Sequence, residues 1–155
     1  FMQNIKVQGN SMQKQVLDGD SGYMVMQGQR KDLSAEEVAK IKEESAAFPE
    51  LNYLAVGDVT LEGVEQVDGK KAYKLKISDE KTAFYDMETG LKVQEIVTQE
   101  VQGQQMTSTI GYGDYQEVSG IKFPFKLMQS MGPQNMEFIV KEIKVNEGVE
   151  ASDFK

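Results

Sequence analysis

Residues 82–101, TAFYDMETGLKVQEIVTQEV, decide the fold class of this chain. Two predicted strands, Thr82–Asp86 and Leu91–Val101, flank the turn sequence Glu88-Thr89-Gly90, and the second alternates between a mainly apolar and a mainly polar face. Such alternation is typical of a half-buried β-strand, and a short glycine-containing break between two strands predicts an antiparallel hairpin. One face of the second strand is apolar over most of its length, so we expect it to pack inward. That face carries Leu91, Val93, Glu95, Val97 and Gln99.

The same succession of short strands and turns continues on both sides of this hairpin. Asp68-Gly69 is a strong two-residue turn signal, and Gly132-Pro133 marks the turn of a last hairpin. Near the start of the chain, the apolar run Tyr23–Met26 is typical of a buried strand. Up to about nine or ten successive strands with one inserted helix are expected. This pattern favours a mainly β (α+β) fold, a strongly curved antiparallel half-barrel with one main covering helix.

One segment between the strands has the pattern of a helix. Ser34 and Glu37 have the spacing of a capping box, in which each side chain binds the backbone N–H of the other residue. Val38 and Ile41 follow at helical spacing and mark the inner face. We expect the helix to end at Phe48-Pro49, because a residue that precedes proline avoids helical angles.

The charge balance and the missing residue types exclude several functional classes. Asp and Glu number 25 against 17 Lys and Arg, which gives a net charge of −8 and disfavours a nucleic-acid partner. Histidine and cysteine are both absent. The chain therefore has no thiolate nucleophile, no imidazole base and no zinc site of the usual kind. We expect no cofactor and no catalytic activity from this segment.

Three stretches that contain acidic residues could belong to a catalytic, metal-binding or phosphate-binding site, but each is better explained by a turn or a bend. Asp86 and Glu88 could form an acid–base pair, but they flank a hairpin turn, where exposed carboxylates are common. Asp18–Gly22 resembles the start of a calcium loop without its later ligands. Asp114 stands beside glycines that more often mark a bulge than a phosphate loop. We expect no catalytic residue and no metal site.

Methionine is unusually frequent, with nine in the chain. Methionine fills irregular cores, and it also lines surfaces that accommodate varied apolar partners. Both interpretations stay open for the methionines and aromatic residues that fall in predicted strands. If they face a cavity, the candidate ligand-binding residues are Tyr23, Met24, Met26, Tyr73, Phe84, Met106, Tyr112, Phe123, Phe125, Met128 and Met136.

Two stretches in the second half resemble a known family. They are residues 84–93, FYDMETGLKV, and residues 112–124, YGDYQEVSGIKFP. The pattern Y-D-x-x-T-G-L followed by D-Y-x-x-x-x-G-I-x-F-P is similar to that of the outer-membrane lipoprotein-sorting superfamily typified by LolA and LolB. It resembles in particular the C-terminal domain of Bacteroidetes zinc-peptidase-like proteins of the insulinase (pitrilysin) group. The resemblance is best over residues 73–145.

The resemblance implies a half-barrel of antiparallel strands with helices over its concave face, located in the periplasm or at the outer membrane. Members of the sorting family hold lipoprotein acyl chains in that cavity. We accordingly expect residues 1–155 to form a single LolA-like domain, excised from a longer chain. Arg30 is the only arginine, and its expected loop position does not match the cationic residue that gates the family's cavity.

Two functions follow as expectations from the resemblance. In the first, the domain is a non-catalytic envelope protein that binds an acyl chain, a lipoprotein or another apolar ligand. In the second, it is an accessory C-terminal structural or interaction domain, joined to a peptidase-like domain in the same chain, with no ligand of its own. A cavity lined by methionine and aromatic side chains favours the first, and a filled interior with an exposed apolar patch favours the second.

Overall fold

The computed structural model describes residues 2–7, 10–45, 48–53, 59–101, 104–145, 147 and 150. These residues form antiparallel sheets with one α-helix, as the strand and turn pattern predicts. The chain divides into two compact units, residues 1–51 with 146–155 and residues 52–145. In the described part of the chain, no helix has the length and apolar character needed to cross a membrane.

The first unit contains a four-stranded antiparallel meander, here called the smaller sheet. Its strands are β1 (Met2–Val7), β2 (Asn10–Asp18), β3 (Ser21–Met26) and β4 (Gln29–Asp32). Arg30 therefore lies in a strand, and the expectation of a loop position is wrong. The reason is that β4 is short and wholly polar, so it has no apolar alternation by which a strand could be recognised.

The helix α1 (Ala35–Glu44) packs against β3 of the smaller sheet. The predicted capping box is confirmed: the Ser34 N–H donates to Glu37 Oε2 at 2.8 Å, and the Glu37 N–H donates to Ser34 Oγ at 3.2 Å. Val38 is buried on the inner face. The helix ends before the predicted Phe48-Pro49, and a 3-10 helix begins at Pro49. Glu43 and Glu44 outnumber Lys42 in the last turn of α1, and acidic residues at the end of a helix oppose its dipole, which favours termination there.

Gly22 lies where β3 closely approaches β2 and Leu33. The Leu33 N–H donates to the Gly22 carbonyl at 2.9 Å, which holds the chain leading into α1 against the strand. A Cβ added at Gly22 would lie 2.5 Å from Leu17 Cδ2 and 2.6 Å from the Val16 carbonyl oxygen. Because the Val16 oxygen belongs to the backbone of β2, β2 and β3 would have to separate to accommodate the added methyl group.

The second unit contains a seven-stranded antiparallel sheet, here called the larger sheet, in which every strand pairs with its neighbours in sequence. Its strands are β5 (Thr60–Val67), β6 (Lys70–Lys76), β7 (Lys81–Asp86), β8 (Lys92–Val101), β9 (Gln104–Val118), β10 (Ile121–Met131) and β11 (Gln134–Ile139). The edge strands are β5 and β11. The predicted hairpin turns at residues 68–69, 88–90 and 132–133 are all present.

A β-bulge at the start of β8 changes which residues face the same side. Phe84 pairs with Gln94 while Tyr85 pairs with Lys92, so Val93 is an extra residue in β8. Val93 and Ile96 consequently pack against the same buried cluster, formed by Val67, Ala72 and Phe84. The prediction that Val93 shares a face with Glu95 and Val97 is therefore wrong, because uninterrupted alternation takes no account of a bulge.

Gly22→Ala should destabilise the chain by about 1–3 kcal/mol, because the new methyl group overlaps backbone atoms. Gly113→Ala is the matched control, since Gly113 also lies in a strand and has no atom within 4 Å of an added Cβ. We expect the control to change the free energy of unfolding by less than about 0.5 kcal/mol. Urea denaturation measures both. Equal losses in the two variants would contradict the close approach at Gly22.

Candidate functional site

A row of directly paired residues crosses one face of the larger sheet from β5 to β11. It consists of Leu61, Leu75, Ala83, Glu95, Ile110, Gln129 and Met136. Residues that pair directly across antiparallel strands share a face of the sheet. Most members of the row are apolar, and we call this side of the larger sheet the apolar face.

Neighbouring rows extend the apolar face along the strands. One row runs through Val64, Tyr73 and Tyr85; a second through Lys81, Val97, Ser108 and Met131; a third through Tyr112, Leu127 and Phe138. Large apolar side chains in these rows remain exposed, among them Leu61, Val64, Tyr73, Met136 and Phe138. Exposed apolar groups that cluster on one surface are typical of an interaction site.

The apolar face contains a hollow of about 250 Å³ where β8, β9 and β10 meet. Its lining combines aliphatic or thioether side chains with three uncharged polar ones: Val97, Gln99, Met106, Ser108, Ile110, Gln129 and Met131. Ligand pockets are typically about 300–1,000 Å³. The hollow thus suits a small ligand or one section of a longer chain.

Three charged side chains lie on the apolar face beside this hollow. Lys81 Nζ is 3.3 Å from Glu95 Oε1, and Lys92 Nζ is 3.4 Å from Glu95 Oε2. The Lys92 ammonium also lies 5.2 Å from the centre of the Tyr112 ring. Lys81 pairs with Val97 and Glu95 pairs with Ile110, and both of these partners line the hollow. We call Lys81, Glu95 and Lys92 the charged triad.

The first unit has a depression of its own, of about 360 Å³, between the β2–β3 hairpin and the start of α1. Four of the residues that line it are charged: Asp18, Asp20, Arg30 and Asp32. Arg30 Nε lies 3.1 Å from Asp32 Oδ1, and the Arg30 guanidinium covers the buried Tyr23 ring at 3.8 Å. Asp20 forms a hydrogen-bonded ion pair with Lys42 at 2.7 Å, which lowers the pKa of Asp20. This surface is less suited to an apolar ligand than the apolar face is.

The structure brings together six of the eleven residues singled out from the sequence. Those on the apolar face are Tyr73, Met106, Tyr112, Phe123, Phe125 and Met136. Phe84 and Met128 belong to the opposite face of the larger sheet, as their pairing with Gln94 and Gly111 requires. Tyr23, Met24 and Met26 lie in the first unit, on β3. Phe84 is buried in the core cluster, which fits the core-packing interpretation.

Several members of the apolar face were missed by the sequence analysis. They are mainly aliphatic: Leu61, Val64, Val97, Ile110 and Leu127, together with Phe138. The methionine count identifies methionine and aromatic residues as candidates, and it carries no information on aliphatic residues. The signal that could have found the others is strand alternation from Tyr73 or Tyr112, provided that the pairing of the strands were known.

Asp86, weighed above as half of an acid–base pair, is tied into the β7–β8 turn. Its Oδ1 accepts hydrogen bonds from the Glu88 N–H at 3.1 Å and from the Thr89 N–H and Oγ1, both at 2.8 Å. The bonds from Thr89, and secondarily that from Glu88, lower the pKa of the Asp86 carboxyl. An ionised carboxylate held by three donors caps the turn and is poorly placed to exchange protons.

No group of three or more acidic side chains able to hold a metal ion occurs among the residues that the structure describes. The absence of histidine and cysteine leaves carboxylates as the only strong metal ligands of this chain.

Comparison with known proteins supports the fold assignment. No protein-family model matches the sequence, and no curated protein matches it either. Among solved structures, the chain is similar to a domain described as an outer membrane lipoprotein-sorting protein, from Vibrio parahaemolyticus. The TM-score is 0.60 at 12% sequence identity, over 92% of this chain and 68% of the other. The two chains share a fold.

A LolA superfamily protein from Nitrosomonas europaea is also similar, with a TM-score of 0.49 and 12% identity over 85% of this chain and 67% of the other. The predicted fold class, mainly antiparallel β with one main helix and LolA-like, is confirmed by the Vibrio domain. At this level of identity the similarity concerns the fold alone.

Asp86→Asn should lower Tm by several degrees at neutral pH, because an amide replaces the carboxylate that caps the turn. The folded pKa of Asp86 is lowered, so its stabilising effect is present above the unfolded pKa of about 3.9 and is lost as the pH falls through the folded value. The difference in Tm between wild type and variant should therefore shrink below about pH 4.

Thermal unfolding followed by circular dichroism from neutral to acidic pH measures this difference. Glu88→Gln, an exposed carboxylate in the same turn, is the control and should leave Tm within about a degree of wild type. A difference between Asp86→Asn and wild type that persists unchanged at low pH would count against an ionised cap.

Proposed function

We propose that this chain is a non-catalytic binding domain of the bacterial envelope that takes up an acyl chain or another apolar ligand on its apolar face. The observation that carries the proposal is the apolar face itself, with its exposed side chains and the hollow between β8 and β10. The shared fold with a domain described as a lipoprotein-sorting protein supports the same class of ligand. A periplasmic or outer-membrane-associated location belongs to the same proposal.

The energetics favour an apolar occupant. Burying an exposed apolar side chain gains roughly 25 cal/mol per Å² removed from water. The exposed members of the apolar face extend from Leu61 on β5 to Phe138 on β11. Six inter-strand spacings separate these edges, which makes a path of roughly 29 Å across the sheet. An extended hydrocarbon chain could therefore contact several rows at once.

An accessory role remains the second candidate. The apolar side chains Leu61 and Val64 lie on edge strand β5, while Phe138 and Ile139 lie on edge strand β11, and all four are exposed. Apolar groups on sheet edges are suited to contact with another protein domain. In this case the domain would be the C-terminal interaction module of a zinc-peptidase-like protein, and it would bind no small ligand.

Binding should depend on the hollow and not on exposed methionine in general. Met106→Glu places a carboxylate in the hollow and should weaken binding of an apolar ligand about tenfold or more, because an unpaired charge resists burial. Met128→Glu is the matched control. Met128 lies one strand away on the opposite face and is equally exposed, at 39% against 41% for Met106.

The measurement is titration with N-phenylnaphthylamine, an uncharged fluorescent apolar dye, combined with native mass spectrometry of the purified domain. Saturable dye binding that Met106→Glu weakens and Met128→Glu leaves within about twofold would support a carrier. If the measured mass is that of the protein without a ligand and the dye does not bind saturably, the carrier proposal is wrong and the accessory domain is favoured. Equal loss in both variants would place the ligand elsewhere.

A further inference from the structure

The lining of the hollow on the apolar face is uncharged. The described residues that line it carry aliphatic, thioether, amide or hydroxyl groups, and the charged triad lies beside them and not among them. A change of pH therefore leaves the charge of the lining as it is. A covalent change would alter its polarity, and the groups of the lining that oxidants attack are the thioethers of Met106 and Met131.

The amino-acid composition directs oxidants to methionine. Cysteine and methionine carry the sulfur atoms that two-electron oxidants attack, and the chain has nine methionines and no cysteine. No thiol of this chain therefore competes with the thioethers for an oxidant. On the apolar face, Met106 is 41% exposed, and Met136, which pairs with Gln129 of the lining, is 40% exposed. An oxidant in solution can thus reach the sulfur atoms of this face.

Strand pairing places Met106 and Met131 close together at the hollow. Met131 on β10 pairs with Ser108 on β9, and Met106 lies two residues before Ser108 on the same strand. Residues two apart on a strand share a face, so the two methionines are diagonal neighbours on that face. Ser108 in turn pairs with Val97, which also lines the hollow. An oxygen atom added to either sulfur would lie where an apolar ligand is expected.

We propose that Met106 and Met131 form an oxidation-sensitive modification site, at which conversion of the thioethers to sulfoxides releases an apolar ligand from the hollow. This inference rests on the proposed function and adds its regulation. Methionine sulfoxide is polar, whereas methionine is flexible and apolar. The added oxygen loses hydrogen bonds to water when an apolar ligand covers it, and this desolvation cost weakens binding.

The oxidant of the proposed reaction is a hydroperoxide. A lone pair of the sulfur attacks the terminal peroxide oxygen, so that an S–O bond forms while the O–O bond breaks. The attacked oxygen gives its proton to the leaving oxygen, which departs as water from hydrogen peroxide or as an alcohol from an organic hydroperoxide. The sulfur is oxidised by two electrons and the peroxide is reduced by two. Methionine sulfoxide reductases reverse the modification.

Uncharged polar side chains in the lining make the oxidised form compatible with the fold. Gln99, Ser108 and Gln129 line the hollow and carry amide or hydroxyl donors, for which a sulfoxide oxygen is an acceptor. Met106 is exposed and lies outside the buried cluster of the larger sheet. Oxidation should therefore change the polarity of the hollow without unfolding the sheet.

The test compares N-phenylnaphthylamine binding to the purified chain before and after treatment with hydrogen peroxide, which is removed before the titration. Peptide mass spectrometry identifies the methionines that have gained an oxygen atom. In the wild type, oxidation of Met106 and Met131 should weaken the dye about tenfold, as expected when a polar group is buried beneath an apolar ligand. Methionine sulfoxide reductases A and B together should restore the affinity.

The variant Met106→Leu/Met131→Leu keeps an apolar lining and removes both sulfur atoms. Peroxide should change its dye affinity by less than about twofold relative to its own untreated sample. Met128→Leu is the matched control, because Met128 lies on the opposite face and is 39% exposed. This control should lose affinity as the wild type does. Urea denaturation of the treated samples checks that the chain remains folded.

Failure of the dye to bind the untreated chain would remove the proposed function. Saturable binding that is unchanged although Met106 and Met131 carry sulfoxides would overturn this inference and leave the carrier function standing. The same holds if peroxide oxidises Met128 and spares both methionines of the hollow. An equal loss of affinity in Met106→Leu/Met131→Leu and in the wild type would overturn it as well, and so would a loss of binding that accompanies unfolding.

Discussion

A slip of one residue between two antiparallel strands would move every side chain of the slipped strand to the other face of the sheet. In the larger sheet the turns oppose such slips. Asp68 and Gly69 both have positive φ, 49° and 81°, as a two-residue hairpin requires. At the next long turn, Asp86 holds Thr89 through two hydrogen bonds, and Gly90 takes φ 70°. Because these turns fix the pairing, Leu61 and Met136 can share a face although they stand at opposite edges.

Local signals in the sequence predicted the local structure well. The hairpin at residues 68–69 and the capping box of Ser34 and Glu37 depend on neighbouring residues only, and the structure confirms both. The bulge at Val93 depends on how two strands pair, and alternation within one strand does not reveal it. The sequence analysis also placed the end of α1 too late, because the proline at position 49 is a stronger helix-ending signal than the acidic residues before it.

The candidate site likewise combines features that the sequence predicts with features that depend on strand pairing. Sequence composition pointed to methionine and aromatic residues, and the pairing of strands decided which of them share a surface: Tyr73 and Met106 do, whereas Phe84 and Met128 belong to the other side. Glu95 looked like a polar interruption of an apolar strand face. Its partners Lys81 and Lys92 come from the neighbouring strand and from across a bulge. The stretch around Asp86, one of the two that carry the family resemblance, forms a turn, and so it bears on the fold more than on a ligand.

The two edges of the larger sheet differ in how they would receive another strand. β5 is interrupted by an irregular register near Gly63, whose φ is 149°, and it carries the charges of Glu62 and Glu65. β11 pairs regularly along its length, is exposed at every residue and carries one charge, on Glu137. Irregularity and charge protect sheet edges from aggregation. Of these two edges, β11 is therefore the one at which intermolecular β-pairing of the larger sheet would begin at high concentration.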